Sequence, residues 1–361
     1  MRVALIHNQL RASGGMESYM VALIRGFQAQ GDEVHVHTYD VEPSLAHELG
    51  CRVHKSNLFF LPRRWKKYVF LARCNRHFQR SRYDLSLALT RTGAAHIAVV
   101  GGIHPASVVR RDRKGHILRR LHDRMETRFE ETMFAWTPHI LTHARGLAGE
   151  IRTWYPKTKS NKITVCYPPI DTNFFVPAPT NRLAPIRDRY GINAERLTLL
   201  FPSRGHRRKG LSELVEAFGQ LDSARYELLV AGEPMRGFGR VPSHVRYLGH
   251  IDNLSNLYSA VDYTVLPSHY EPFGLAVVES LHCGTPVLVS RQVGAAELLT
   301  PAEGVILDMV TPRALAEAIT GLRKFRVAPG FVRRHGLDIE GHIQAIKKLV
   351  HKRAGESGAG V

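Results

Sequence analysis

Cysteine is scarce: 4 of 361 residues, and Cys51, Cys74, Cys166 and Cys283 are scattered without any Cys-x-x-Cys spacing or clustered histidine and acidic partners. That excludes a disulfide framework and a cysteine-ligated zinc module, and the four read as reduced, partly buried thiols. Long apolar runs are absent too; no stretch of about 18 or more apolar residues reads as a membrane-spanning helix. The opening segment, Met1 to His7, has the pattern of a short strand, so no signal peptide is expected and the chain is assigned to the cytoplasm. No internal repeat is found, and no Asp-x-Asp pair stands in a convincing loop. Acid is also in short supply, with 32 Asp and Glu against 50 Lys and Arg, a net charge of +18. A field of that sign attracts polyanions.

What is present is enough apolar material, 44% of the composition, to bury two ordinary cores. The positive charge is unevenly placed. From Phe59 to Tyr83 there are eight Arg or Lys and no acid, interleaved with Phe59, Phe60, Trp65, Tyr68, Phe70 and Phe78. A second basic stretch, Arg110 to Arg128, contains Arg110-Arg111-Asp112-Arg113-Lys114. Cations mixed with aromatic rings near a helical period suit a segment lying on anionic lipid, the rings in the headgroup layer and the cations on phosphates. Arg63, Arg64, Trp65, Lys66, Lys67, Arg110, Arg111, Arg113 and Lys114 are therefore candidate membrane or acceptor contacts. The plainer alternative is a solvated helix with an apolar core face.

Along the chain, strand and helix patterns alternate. Met1–Ile6, Glu33–Tyr39, Leu85–Leu89, Ile97–Val100, Ile140–Thr142 and Ile163–Val165 read as short strands, with helices over Met16–Gln30 and Arg119–Trp136. Tyr167 to Pro185 is too rich in proline for a helix and reads as a linker. A second series follows: strands at Leu197–Phe201, Glu227–Ala231, Val245–Leu248, Tyr263–Leu266 and Pro286–Ser290, with helices at Leu211–Leu221, Leu254–Ala260 and Gly274–Cys283. The fold class is thus α/β, two doubly wound Rossmann-like domains. Ligands of such sheets sit at the carboxyl ends of the strands, so two of them facing each other define a cleft.

One string carries the chemistry. Pro267-Ser268-His269-Tyr270-Glu271-Pro272-Phe273-Gly274-Leu275-Ala276-Val277-Val278-Glu279 sets two carboxylates, seven residues between them, around a Pro-Phe-Gly turn. A strand–loop–helix passage there points free N–H groups into the loop, a phosphate-binding arrangement. Glu279, about one and a half turns into the helix, could accept hydrogen bonds from ribose hydroxyls. Taken singly, Glu271 and Glu279 could equally be solvated acids. A second strand–loop–helix passage, Ser203-Arg204-Gly205-His206-Arg207-Arg208-Lys209-Gly210, delivers Arg204 and Lys209 from one loop, suited to the growing charge of a departing phosphate. Arg207 and Arg208 are expected to face solvent. Gly14 and Gly15, at a helix start, offer bare N–H groups for a further phosphate contact.

These strings resemble the Glu-x7-Glu and Arg-x4-Lys-Gly elements of family-four retaining glycosyltransferases of the GT-B fold. Ser13-Gly14-Gly15-Met16-Glu17 is similar to that family's N-terminal glycine loop, and Val245-Arg246-Tyr247-Leu248-Gly249 to its base-binding strand end. The resemblance implies two domains facing across a cleft: residues 1–170 binding acceptor, with a helix of about 340–353 returning to them, and residues 171–339 binding nucleotide sugar. Residues 355–361 are expected to be disordered. It implies donor diphosphate contacts from Gly14, Gly15, Arg204, Lys209, Phe273, Gly274 and Leu275, and ribose contact from Glu279. Arg246, Tyr247, Leu248 and Gly249 would hold the base. Glu271 would accept a hydrogen bond from the transferred sugar.

The family's usual explanation of retention is front-face attack, the departing phosphate oxygen deprotonating the acceptor, so no protein nucleophile or metal is expected and no cofactor beyond the sugar nucleotide, UDP-sugar favoured. Relatives supply an Asp or His near the sugar; here Ala95 stands where that Asp would align, with His96 next to it, so His96 is the first candidate and His104 the second. Resemblance to lipopolysaccharide-core enzymes implies hexose transfer to a lipid-linked or polysaccharide-precursor acceptor on the inner face of the cytoplasmic membrane, with no nucleic acid partner. Two alternatives stand beside this: a non-catalytic polyanion- or membrane-binding protein on the same scaffold, and a GT-B epimerase or phosphorylase, the latter needing a longer chain.

Overall fold

In the computed structural model the chain forms two compact units, one of Met1–Pro169 with Ile339–Val361 and one of Ile170–Asp338. The structure describes residues 1–11, 14–109 and 117–356. The first unit is built on a seven-stranded sheet in the spatial order Arg52–Lys55, Glu33–Thr38, Arg2–Ile6, Leu85–Ala88, Ile97–Val100, His139–Thr142, Ile163–Val165. Every pairing is parallel. Its inner strands are short apolar runs because helices cover both faces of a parallel sheet; Val3 to Ile6 and Leu85 to Ala88 are fully buried.

The helix Gly15–Ala29 turns Tyr19, Met20, Leu23, Ile24 and Phe27 inward at helical spacing. Each such side chain contributes roughly 1.5–3 kcal/mol by leaving water. The last helix, Ile339–Glu356, packs on that same helix: Ile343 and Ile346 join its core, Tyr19 Oη lies 2.7 Å from His342 Nε2, and Lys347 pairs with the buried Asp32. That helix runs two residues into the segment expected to be disordered, and residues 357–361 lie outside the described residues.

The second unit carries a six-stranded parallel sheet in the order Val245–Gly249, Tyr226–Gly232, Leu197–Ser203, Tyr263–Leu266, Val287–Ser290, Gly304–Leu307. All seven residues of Leu197–Ser203 are buried. The proline-rich stretch ends earlier than its composition suggests, since Thr180–Tyr190 is helical with Pro185 inside it. Pro185 removes one N–H, that which would reach the carbonyl of Asn181 in the first turn. The helix persists because Ile186 and Tyr190 pack against the buried cluster around Leu257 and Tyr258. The edge strands Arg52–Lys55 and Gly304–Leu307 have no reading in the sequence pattern; Arg52–Lys55 is largely exposed and polar, so its periodicity is weak.

Candidate functional site

In the second unit, the strands Leu197–Ser203 and Tyr263–Leu266 are neighbours, and the loops that leave their carboxyl ends pack against each other. Gly210 makes this approach possible: it has φ 80°, and a Cβ there would stand 2.1 Å from the carbonyl oxygen of Pro267. The loop thereby delivers Lys209 beside Glu271, Nζ to Oε2 being 3.8 Å, while Arg208 Nη1 donates to the same oxygen at 3.0 Å. Arg208 therefore does not simply face solvent; its guanidinium holds Glu271 and the carbonyl of Tyr270. Arg207 is exposed. The Glu271 backbone is fixed by a third segment, its N–H donating to Gln292 O at 3.1 Å and its carbonyl accepting from Gly294 N at 2.9 Å.

Gly274, at φ 92°, caps the helix Leu275–His282, and a Cβ on it would lie 2.8 Å from Val293 Cγ1. Phe273 is buried and its carbonyl accepts from Ala295 N at 2.8 Å, which anchors the turn under the helix start. The opening turn at Leu275 is an anion-favouring helix N-terminus. One and a half turns on, Glu279 Oε2 accepts a 2.9 Å hydrogen bond from the fully buried Tyr258 Oη. Burial pushes the Glu279 carboxyl up to about 7, against the opposing pull of Tyr258 and Lys209. Burial likewise lowers the Lys209 ammonium, and Glu271 counteracts this. Arg204 is exposed in the same loop, with no hydrogen-bond or ion-pair partner among the described residues.

The proposed base contacts divide. Arg246, near the amino end of its strand, is engaged within the protein, its Nε on the buried Glu227 at 2.7 Å and its Nη2 on the carbonyls of Tyr190 and Gly191. Tyr247 is exposed and donates to Gly232 O at the carboxyl end of the adjacent strand. Leu248 packs into the core, and Gly249 ends the strand.

In the first unit, Gly14 and Gly15 open the helix that follows the first strand, where Glu17 accepts from Gln9 Nε2 at 2.6 Å and lies 3.5 Å from His7 Nε2. The two candidate histidines separate. His104 follows the strand Ile97–Val100 and so stands at the carboxyl edge, whereas His96 precedes it, at the amino edge, with Nδ1 on Ser86 Oγ at 2.9 Å. His96 is pushed down to about 4 by burial, with Arg80 and His139 adding to the effect, and is a neutral structural imidazole. Sheet direction thus reverses the preference and leaves His104.

His104 is nearly buried, and its backbone N–H donates to both oxygens of Glu130 at 2.9 Å. Glu130 also accepts from Arg91 Nε and Tyr155 Oη, each at 2.6 Å. Arg91 reaches Glu126 at 2.7 Å, and Lys67 binds Glu126 at 2.7 Å, so Lys67 belongs to this network. In the sequence Glu130 reads as either a cleft acid or a helix-surface acid, and Glu126 has no reading. The helical spacing of Asp123, Glu126 and Glu130 along Ile117–Trp136, which sets them on one face, is the signal that would have found them. Burial lowers the His104 imidazole, Asp123 opposing it. A cavity of about 530 Å³ opens beside it, lined by His104, Pro105, Arg120, Asp123, Arg124 and Trp154 among others.

Of the remaining surface candidates, Arg63 and Arg64 are exposed at the start of the helix Arg63–His77, and Lys66 is half-buried. Phe59, Phe60 and Trp65 are 79%, 60% and 44% exposed around them. Arg110, Arg111, Arg113 and Lys114 lie outside the described residues. Among the described residues no helix is long and apolar enough to cross a membrane.

Two Rossmann-like parallel-sheet units, one with a cation-bearing loop and a glycine-capped helix at its carboxyl edge, define a GT-B protein. Residues 13–174 match the model described as Glycosyltransferase Family 4, and residues 184–324 match Glycosyl transferases group 1. A probable transglycosylase of Burkholderia thailandensis is 31% identical over 306 residues, 85% of this chain and 82% of that protein. A D-inositol 3-phosphate glycosyltransferase of Thermobifida fusca is 29% identical over 214 residues, 53% of this chain and 48% of that one. Among solved structures, WaaG, a glycosyltransferase involved in lipopolysaccharide biosynthesis, superimposes with a TM-score of 0.73 at 18% identity, covering 99% of this chain and 100% of WaaG. Anabaena HepE in complex with UDP-glucose gives 0.67 at 16% identity, covering 100% of both. The chain belongs to the family-four glycosyltransferases of the GT-B fold.

Proposed function

We propose that this glycosyltransferase moves a hexose from a nucleoside diphosphate sugar, UDP-sugar first, to a lipid-linked or polysaccharide-precursor acceptor with retention of configuration. The observation that carries the donor half is the group Lys209, Glu271, Gly274 and Glu279 on two adjoining carboxyl-end loops of one sheet and the helix that leaves one of them. Arg204, Lys209 and the helix start at Leu275 would receive the diphosphate, stabilising charge as the glycosidic bond breaks. Glu279 would take the ribose hydroxyls beside the Tyr258 hydroxyl that it already accepts. The solved HepE complexes with UDP and UDP-glucose support UDP as the carrier.

Charge neutralisation by these cations does not call for a metal at the diphosphate. Glu271, ion-paired to Arg208 and Lys209, orients the transferred sugar and is not a nucleophile; the departing phosphate oxygen takes the acceptor proton, with His104 contacting the sugar. The acceptor assignment is supported by the likeness to WaaG and by the exposed Phe59, Phe60, Arg63, Arg64 and Trp65, which suit peripheral contact with anionic lipid. Screening UDP-, GDP- and ADP-sugars for hydrolysis and thermal shift tests the donor claim. Selective protection by one UDP-sugar is expected, and indifference to all three classes would defeat it. Binding to anionic vesicles should fall steeply with salt; salt-insensitive binding would defeat the membrane claim.

A further inference from the structure

We infer that His104, His122 and Asp123 form a binding site for a zinc-class dication at the mouth of the cavity in the first unit. Among the described residues this is the group of three side chains whose ligating atoms all lie within 4.8 Å of one another. Asp123 Oδ1 is shared: it stands 2.8 Å from His104 Nε2 and 3.5 Å from His122 Nδ1. Ligands roughly 2.0–2.2 Å from a tetrahedral ion are about 3.3–3.6 Å apart, so the second distance already fits and the first needs to open by a few tenths of an ångström.

The surroundings fit too. A metal-bound imidazole turns its other ring nitrogen to a carboxylate or carbonyl, and His122 Nε2 lies 3.7 Å from Glu126 Oε1. His104 is held in place through its own backbone by Glu130. The charges of Glu126 and Glu130 are met by Lys67 and Arg91. Exposure rises across the set, from 5% for His104 to 21% for Asp123 and 51% for His122, so the group is open to solvent on the His122 side. Arg120 and Arg124 line the same cavity and favour an anionic oxygen there. Occupancy would withdraw His104 Nε2 from any sugar, which makes the ion an inhibitor of transfer. The role is separate from charge neutralisation at the donor diphosphate, and the binding claim stands or falls independently of the proposed reaction.

The test uses the full chain after chelator treatment, titrated with Zn2+ by calorimetry and with Co2+ by visible absorption. His122→Ala, at a half-exposed position, and Asp123→Asn should each lose one equivalent of Zn2+ and the tetrahedral Co2+ spectrum that wild type shows. His54→Ala, in the stacked imidazole group His35, His37 and His54, should retain both. Equal stoichiometry in wild type and His122→Ala, or loss confined to His54→Ala, overturns the site.

Discussion

Replacing Glu279 by Gln should make the protein more stable and a poorer binder of sugar nucleotide at once. Burial raises the Glu279 carboxyl from 4.5 to about 7 in the folded state. The folded chain therefore keeps this proton over a pH range in which the unfolded chain has released it, so stability falls as pH rises through that range. Below pH about 4.5 the group is neutral in both states and costs nothing; above about 7 the whole penalty is present, about 3 kcal/mol at 1.36 kcal/mol per pH unit. Gln removes the penalty and keeps an oxygen for the Tyr258 hydroxyl. In urea unfolding of the full chain, the variant should exceed wild type by up to about 3 kcal/mol near pH 8 and match it near pH 4. UDP affinity, by contrast, should drop roughly 10- to 100-fold with the charged acceptor gone. A variant less stable than wild type at pH 8, or an advantage independent of pH, would refute the burial argument, and unchanged UDP affinity would refute the ribose role.

Gly210→Ala should lower stability by roughly 1–3 kcal/mol, read in the unfolding transition, because its Cβ meets the Pro267 carbonyl and φ 80° disfavours alanine. His104→Ala should cut turnover, whereas His96→Ala, at the opposite edge of the sheet, should leave it within a few-fold of wild type; kinetics under saturating donor separate them. Glu130→Ala takes away one of the two carboxylates that hold Arg91 and the buried acceptor of the His104 N–H and the Tyr155 hydroxyl, and should cost roughly 3–5 kcal/mol, measured by thermal unfolding, while Glu130→Gln retains part of that and shows whether turnover follows the position of His104.

The donor loops were legible because everything they need is local. Lys209 and Glu271 each follow a strand by a few residues, and strand direction alone puts both on one sheet edge. Histidine choice failed on the same principle, since His96 and His104 flank one short strand and only its boundaries, Ile97–Val100, decide which edge each occupies. Partners distant in sequence were beyond reach. Arg208 finds Glu271, Arg246 finds Glu227, and Lys67 finds Glu126, pairings that depend on how neighbouring elements pack and leave no periodic trace. The Glu130 hub draws Arg91, His104 and Tyr155 from three segments and was hidden for the same reason.

Calorimetric titration of UDP into wild type and Lys209→Ala tests the donor assignment most directly. One site in the wild type, weakened roughly 10- to 100-fold when the ammonium is removed, is the predicted outcome. Equal affinity in the two proteins, or no UDP binding in either, would contradict it.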